Sequence, residues 1–207
     1  MVCLGIGLMM ARALAEAGAH RVYIVGRRVE VLQAAAASIG KPSVIPLYCD
    51  VTSKVSLESV LSVVETDVGY LNLLVCNSGI GGPQAKPPTP ETSLEAWREA
   101  QLAVDPEEYT NTFRVNCTSV WYTTMAFLKL LDNGNKKGNV EQPSQVVVTS
   151  SIAGFNKKAP GGYPYGSSKA AATHIAKQLS LVLPTWGIRY VFCRLVKPRR
   201  TLADCCI

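Results

Sequence analysis

The chain has 207 residues, 48% of them apolar and 17% charged, with 21 Lys and Arg against 15 Asp and Glu for a net charge of +6. That balance excludes an intrinsically disordered chain, which needs low hydrophobicity and high net charge, and the length suits one domain with a sizeable core. Arg12 and Glu16 interrupt the apolar start, so no run approaches the roughly 20 residues of a spanning helix, and no basic n-region of a secretory signal is present. A cytoplasmic protein with no membrane partner is expected.

The basic excess is concentrated over 188–207, which holds Arg189, Arg194, Lys197, Arg199 and Arg200 against Asp204. No basic stripe interleaved with aromatics accompanies it, so nucleic acid is not an expected partner. The seven cysteines are odd in number and lack C-x-x-C spacing, and most fall in apolar stretches, which reads as reduced core thiols. His20 and His174 stand far apart without a ligand pattern around them, so no metal site is expected.

Along the chain, helical and strand-like patterns alternate. Apolar residues at helical spacing predict a helix over 7–17, stopped by Gly18, and a short buried strand over 21–25. A helix over 28–39 ends at Gly40-Lys41-Pro42, a strand follows over 44–49, and Thr52 or Ser53 opens a helix to Asp67. A third strand over 71–76 runs into the turn-forming Asn77-Ser78-Gly79, and four prolines mark 81–90 as a loop. Thr92 or Ser93 caps a short helix to Leu102. Asp105-Pro106-Glu107-Glu108 is a strong helix start, because Asp accepts from free backbone N–H groups, Pro suits the first helical position and acids favour the positive dipole end. That helix is expected to reach Leu131, followed by a polar surface loop over 132–143, a strand over 145–149, a helix over 166–183 and a strand over 188–195.

Strands separated by helices imply crossover connections and a parallel sheet covered on both faces. The expected fold is therefore α/β, a doubly wound, Rossmann-like parallel sheet. Such sheets bind ligands beyond the carboxyl ends of their strands.

Four local patterns fall near those ends: Gly5-Ile6-Gly7, Asn77-Ser78-Gly79, Ser150-Ser151-Ile152-Ala153-Gly154 and Tyr165-Gly166-Ser167-Ser168-Lys169. In this order, with Asn116 in a helix between them, they resemble the short-chain dehydrogenase/reductase family, and most closely its NADP-dependent fungal members. Residues 1–195 would form a single dinucleotide-binding domain, with 196–207 a basic, Cys-rich tail unlike the family. The family's T-G-x3-G-x-G turn is matched only in its last three positions. Its first glycine and the strand carrying it would precede Met1, so the usual first strand, and the C-terminal substrate lid, are expected to be missing. A missing central strand would leave unpaired backbone on its neighbours.

The resemblance implies catalytic roles for Asn116, Ser151, Tyr165 and Lys169. Tyr165 and Lys169, four apart on a helix, project from one face, so a cationic lysine can favour the phenolate. The Tyr is the family's general acid/base, the Lys also holds the nicotinamide ribose, Ser151 hydrogen-bonds the reacting oxygen, with Ser150 as its rival, and Asn116 supports a water relay. For the cofactor, the resemblance points to Gly5, Ile6 and Gly7 at the pyrophosphate, Asp50 at the adenine, Asn77 on the nicotinamide side, Arg114, and Tyr165 and Lys169 again. After the strand over 21–25 stands Gly26-Arg27-Arg28 where an acid would read a ribose 2′-hydroxyl, so Arg27, with Arg28 beside it, points to NADP(H). The expected partner is a small carbonyl or alcohol, and family members associate as homodimers or homotetramers through the helices carrying Asn116 and Tyr165. The competing expectation is a catalytically silent relative that persists as a binding protein.

Overall fold

The computed structural model describes residues 5–84, 87–158 and 161–195. The elements in chain order are α1 (Ile6–Glu16), β1 (Val22–Gly26), α2 (Val29–Ile39), β2 (Val44–Tyr48), α3 (Lys54–Asp67), β3 (Leu73–Cys76), α4 (Leu94–Leu102) and α5 (Pro106–Phe113). A π-helical turn over Arg114–Thr118 leads into α6 (Ser119–Lys137), then β4 (Gln145–Ser151), a 3-10 turn at Ile152–Gly154, α7 (Tyr163–Val182), a second 3-10 turn at Leu183–Trp186 and β5 (Arg189–Leu195). Helix starts follow side-chain caps: Ser53 accepts from the Ser56 N–H, Ser93 from Ala96 and Asp105 from Glu107.

Every strand pairing is parallel, as strands joined through helices require. β1 pairs with β2 from Val22↔Val44, and β3, β4 and β5 form a second sheet with β4 in the middle. Helices α1 and α2 cover one side, where Ala11, Ala15, Leu32 and Ala35 bury Val22 and Ile24. Helices α3 and α6 cover the opposite side, packing Leu57, Val60, Val64, Phe127 and Leu130 against Tyr23, Val25 and Leu74. Val146, Val148 and Tyr190 of β4 and β5 are buried by Val120 and Leu131 of α6 and by Ala172, Ala176 and Leu179 of α7. Helices on both faces of parallel strands make this the doubly wound α/β architecture.

Among the described residues β1 has only β2 as a ladder partner and β3 only β4. A cavity of about 530 Å³ lies between these two edges, lined by Tyr23, Val25, Val60, Leu74, Val75 and Phe127 among others. In a parallel ladder alternate backbone groups of each strand point to opposite neighbours, so half of those on β1 and β3 face this cavity. The expectations for the lid and for the tail 196–207 fall outside the described residues.

Several boundaries differ from the sequence reading, and β4 runs to Ser151, two residues past its expected end, so that Ser150 and Ser151 lie within the strand. The predicted helix over 105–131 is divided by the π-helical turn, which inserts an extra residue just where Asn116 must be presented. The predicted loop over 132–143 is helical to Lys137 and turns at Gly138, φ 60°. Its polar residues are held by tertiary bonds: Asn133 donates to the Gly69 carbonyl, Asn135 to those of Trp186 and Gly187, and Lys136 to Asp132 one turn back. Helix α7 begins at Tyr163, three residues earlier than expected, with Pro164 in its first turn, so Tyr165 is already helical.

Candidate active site

The residues singled out in the sequence gather beyond the carboxyl ends of the strands. Ser151 ends β4, and the 3-10 turn after it packs tightly against α7: a Cβ on Gly154 would stand 2.8 Å from the Ala170 nitrogen and 2.9 Å from the Lys169 carbonyl carbon. That close approach needs glycine and brings the Ser151 segment onto the turn of α7 that carries Lys169.

Lys169 is only 4% exposed. Its Nζ donates to the Thr149 carbonyl at 2.8 Å and lies 6.0 Å from the centroid of the Tyr165 ring. Burial pushes its pKa below the ordinary lysine value, opposed by the charge of the nearby Cys193. No carboxylate is bonded to this ammonium among the described residues. A buried cation without an acidic partner is an arrangement found where lysine does chemistry rather than structure.

Asn116, 1% exposed, is held by three bonds. Its Oδ1 accepts from the Ile80 N–H at 2.8 Å, and its Nδ2 donates to the Ile80 carbonyl at 2.8 Å and to Ser168 Oγ at 3.0 Å. A Cβ on Gly79 would stand 3.2 Å from Asn116 Oδ1 and 3.3 Å from Lys169 Nζ, so these two groups border one small space. Ile80 and Ser168 were not legible as site residues, since one acts through its backbone and the other looks like any helical serine.

The two candidate serines face opposite ways, as neighbours in a strand must. Ser150 is tied to Thr173 Oγ1 at 2.6 Å beneath α7. Ser151 Oγ accepts from the Ala153 N–H at 3.2 Å and has no acceptor for its own proton among the described residues. Ser151 is therefore the one with a hydroxyl to offer.

The cofactor candidates form a second group. Gly5 caps α1 without a side-chain bond to its first-turn N–H groups, and open space stands where its Cβ would be. Arg27, exposed, follows β1. Asp50 follows β2, where its Oδ1 accepts from the Thr52 N–H at 2.9 Å and hydroxyl at 2.7 Å. Burial alone would raise the Asp50 pKa, but the Thr52 bonds, Arg27 and Arg114 together hold it below the usual carboxylate value. Arg27 and Arg114 thus share the surroundings of Asp50, although Arg114 is itself clamped to Asn111 Oδ1 through Nε and an η nitrogen. Asn77, after β3, accepts from Thr149 Oγ1 at 3.0 Å. Free helix N-terminal amides, an arginine after β1 and an aspartate after β2 are a donor and acceptor set that fits a dinucleotide.

A parallel α/β sheet with a buried lysine, a helical tyrosine and a clamped asparagine at its carboxyl end defines a doubly wound α/β protein with a polar site beyond its strands. The family model described as short chain dehydrogenase matches residues 2–198, and the chain belongs to that family. The short-chain dehydrogenase/reductase PhomF of Diaporthe leptostromiformis is 44% identical over 187 residues, covering 90% of this chain and 64% of that protein. VdtF, a short-chain dehydrogenase/reductase of Byssochlamys spectabilis, is 40% identical over 206 residues, covering 89% and 67%. The solved Pseudomonas aeruginosa RhlG/NADP active-site complex superimposes with a TM-score of 0.76 at 26% identity, covering 95% of this chain and 70% of that one. The chain thus spans about two thirds of the length of these relatives. Among the described residues no helix is long and apolar enough to cross a membrane.

Proposed function

We propose that this chain is an NADP(H)-dependent oxidoreductase that interconverts a carbonyl and a secondary alcohol. The observation that carries the reading is the buried ammonium of Lys169, held by the Thr149 carbonyl, facing the Tyr165 ring and bordering the space shared with Asn116 Oδ1. Bound nicotinamide would give hydride to, or take it from, the substrate carbon. Tyr165 moves the proton at the substrate oxygen, and Lys169 favours the phenolate that this transfer leaves. Ser151 donates its free hydroxyl proton to the same oxygen as charge develops there. Asn116, fixed by Ile80 and Ser168, borders the same small space as Lys169 Nζ and supports a water relay there.

Gly5, Ile6 and Gly7 would receive the pyrophosphate at the start of α1, Asp50 the adenosine and Asn77 the nicotinamide side, with Arg114 at the edge. The exposed guanidinium of Arg27 suits a 2′-phosphate, as the NADP of the RhlG complex suggests. The 40–44% identity to fungal short-chain dehydrogenases supports a place in secondary metabolism and a small-molecule substrate. Exposed Trp121 and Tyr122 on α6, and Leu181 and Val182 on α7, favour a homodimer or homotetramer through these helices, which light scattering would test.

The deciding experiment titrates the purified chain with NADPH and NADH, following nicotinamide fluorescence and thermal melting together. Preferential stabilisation by NADPH, followed by loss of carbonyl reduction in Tyr165→Phe, is the expected result. A cooperatively unfolding protein indifferent to both cofactors would overturn this reading.

A further inference from the structure

The end of the second sheet carries a line of polar side chains that the motifs above do not explain. In the parallel register Thr149 of β4 lies opposite Cys193 of β5, and Cys76 of β3 opposite Val148, which places Asn77 beside Thr149. Neighbours in register point to the same face of a sheet. Cys193, Thr149 and Asn77 therefore form one row across three strands.

The row is bonded from end to end. Cys193 Sγ donates to Thr149 Oγ1 at 4.0 Å, a weak thiol contact, and Thr149 Oγ1 donates to Asn77 Oδ1 at 3.0 Å. Because the Thr149 oxygen accepts on one side, its proton is free for the amide on the other. That bond turns the carbonyl end of Asn77 to the sheet in this structure. The Nδ2 end, without a partner among the described residues, is left as a donor. Thr149 is 7% exposed, so its hydroxyl needs this bond, and its backbone carbonyl separately holds Lys169 Nζ.

We propose that Thr149 is a positioning residue for the dinucleotide: its hydroxyl locks the Asn77 amide so that Nδ2, not Oδ1, faces the nicotinamide side of the site. The ligand group recognised there is an acceptor oxygen of the cofactor. A valine at 149 would keep the β-branched shape that the strand uses and leave the carbonyl to Lys169, but Asn77 would be free to turn over. The role of Thr149 rests on the proposed NADP(H) function; the order of the Asn77 amide does not.

Thr149→Val and Thr149→Ser are compared with the parent chain in NADPH titrations, in steady-state reduction of a carbonyl substrate and in melting. The expected outcome for Thr149→Val is a rise of about fivefold to tenfold in the NADPH Kd and KM, the size of one ordinary hydrogen bond, with kcat at saturating NADPH within about twofold. Thr149→Ser restores the parent affinity. A lowered melting temperature with unchanged NADPH affinity in Thr149→Val would overturn the proposal and leave Thr149 a packing residue. Nuclear spin relaxation of the Asn77 side-chain amide in the cofactor-free chain reads the lock directly: rigid in the parent and in Thr149→Ser, mobile in Thr149→Val. An equally mobile amide in the parent would also overturn it. If the parent chain binds neither nucleotide, the functional reading fails, while this relaxation comparison still decides whether Thr149 holds Asn77.

Discussion

Asn116 Nδ2 donates to Ser168 Oγ at 3.0 Å, and Ser168 Oγ donates in turn to the Tyr165 carbonyl at 2.8 Å, so the π-helical turn before α6 is tied to the first turns of α7. Both residues are almost wholly buried, and the bond joins chain segments 52 residues apart. The asparagine is thereby a structural clamp as well as a candidate member of the catalytic group.

Replacing Asn116 with Ala removes three bonds at once and leaves the Ile80 N–H and carbonyl without their partners. Each buried group left unsatisfied costs about 1–3 kcal/mol, so Asn116→Ala is expected to lose several kcal/mol in urea unfolding as well as catalytic rate. A variant as stable as the parent would show that the clamp does not carry this load.

Lys169→Met is expected to separate stability from activity. The folded-state pKa of Lys169 is lowered by burial, so the folded protein binds its proton less readily than the unfolded chain. Its charge therefore costs stability at neutral and acid pH, and the cost is relieved as pH rises from the lowered folded value toward the ordinary value of about 10.4. The apolar variant should unfold at higher urea concentration near pH 7, with the gain shrinking toward pH 10, and reduce no carbonyl. A less stable Met variant would mean that the bond to the Thr149 carbonyl outweighs burial.

Arg27→Ala tests cofactor choice. Losing a guanidinium that pairs with a phosphate should weaken NADPH by about tenfold or more while leaving NADH nearly unchanged, in the same fluorescence titration. Equal loss for both nucleotides would remove Arg27 from the 2′-phosphate site.

Gly134→Ala tests the packing of α6. A methyl there would collide with the Leu71 carbonyl and come within 2.7 Å of Ser144 Oγ. Backbone cannot yield as a flexible side chain can, so a loss of about 2–4 kcal/mol is expected in denaturant unfolding.

Hydrogen exchange should expose the division of the sheet. Amides of β4, paired on both sides by β3 and β5, should exchange only through near-global unfolding. Those of β1 and β3 that face the cavity should exchange orders of magnitude faster. Uniform protection across all strands would show that the two edges close on each other in solution.

The sequence by itself determined the alternation of strands and helices, because buried parallel strands leave apolar runs and helices a 3.6-residue period. It also determined Tyr165 and Lys169 as a pair, since a four-residue spacing puts them on one helical face. Local chemistry marked the starts of α3, α4 and α5, where Ser53, Ser93 and Asp105 each bond within their own turn. Only the tertiary structure decided that 132–137 is helix, because Asn133 and Asn135 are satisfied by Gly69, Trp186 and Gly187, residues far away in the chain. The same holds for the π-helical turn that presents Asn116 to Ile80 and Ser168, and for the bond that ties Ser150, and not its neighbour Ser151, to Thr173 beneath α7. Periodicity reports a residue's relation to its near neighbours along the chain, whereas a buried polar group takes its partner from whichever segment the fold brings within about 3 Å.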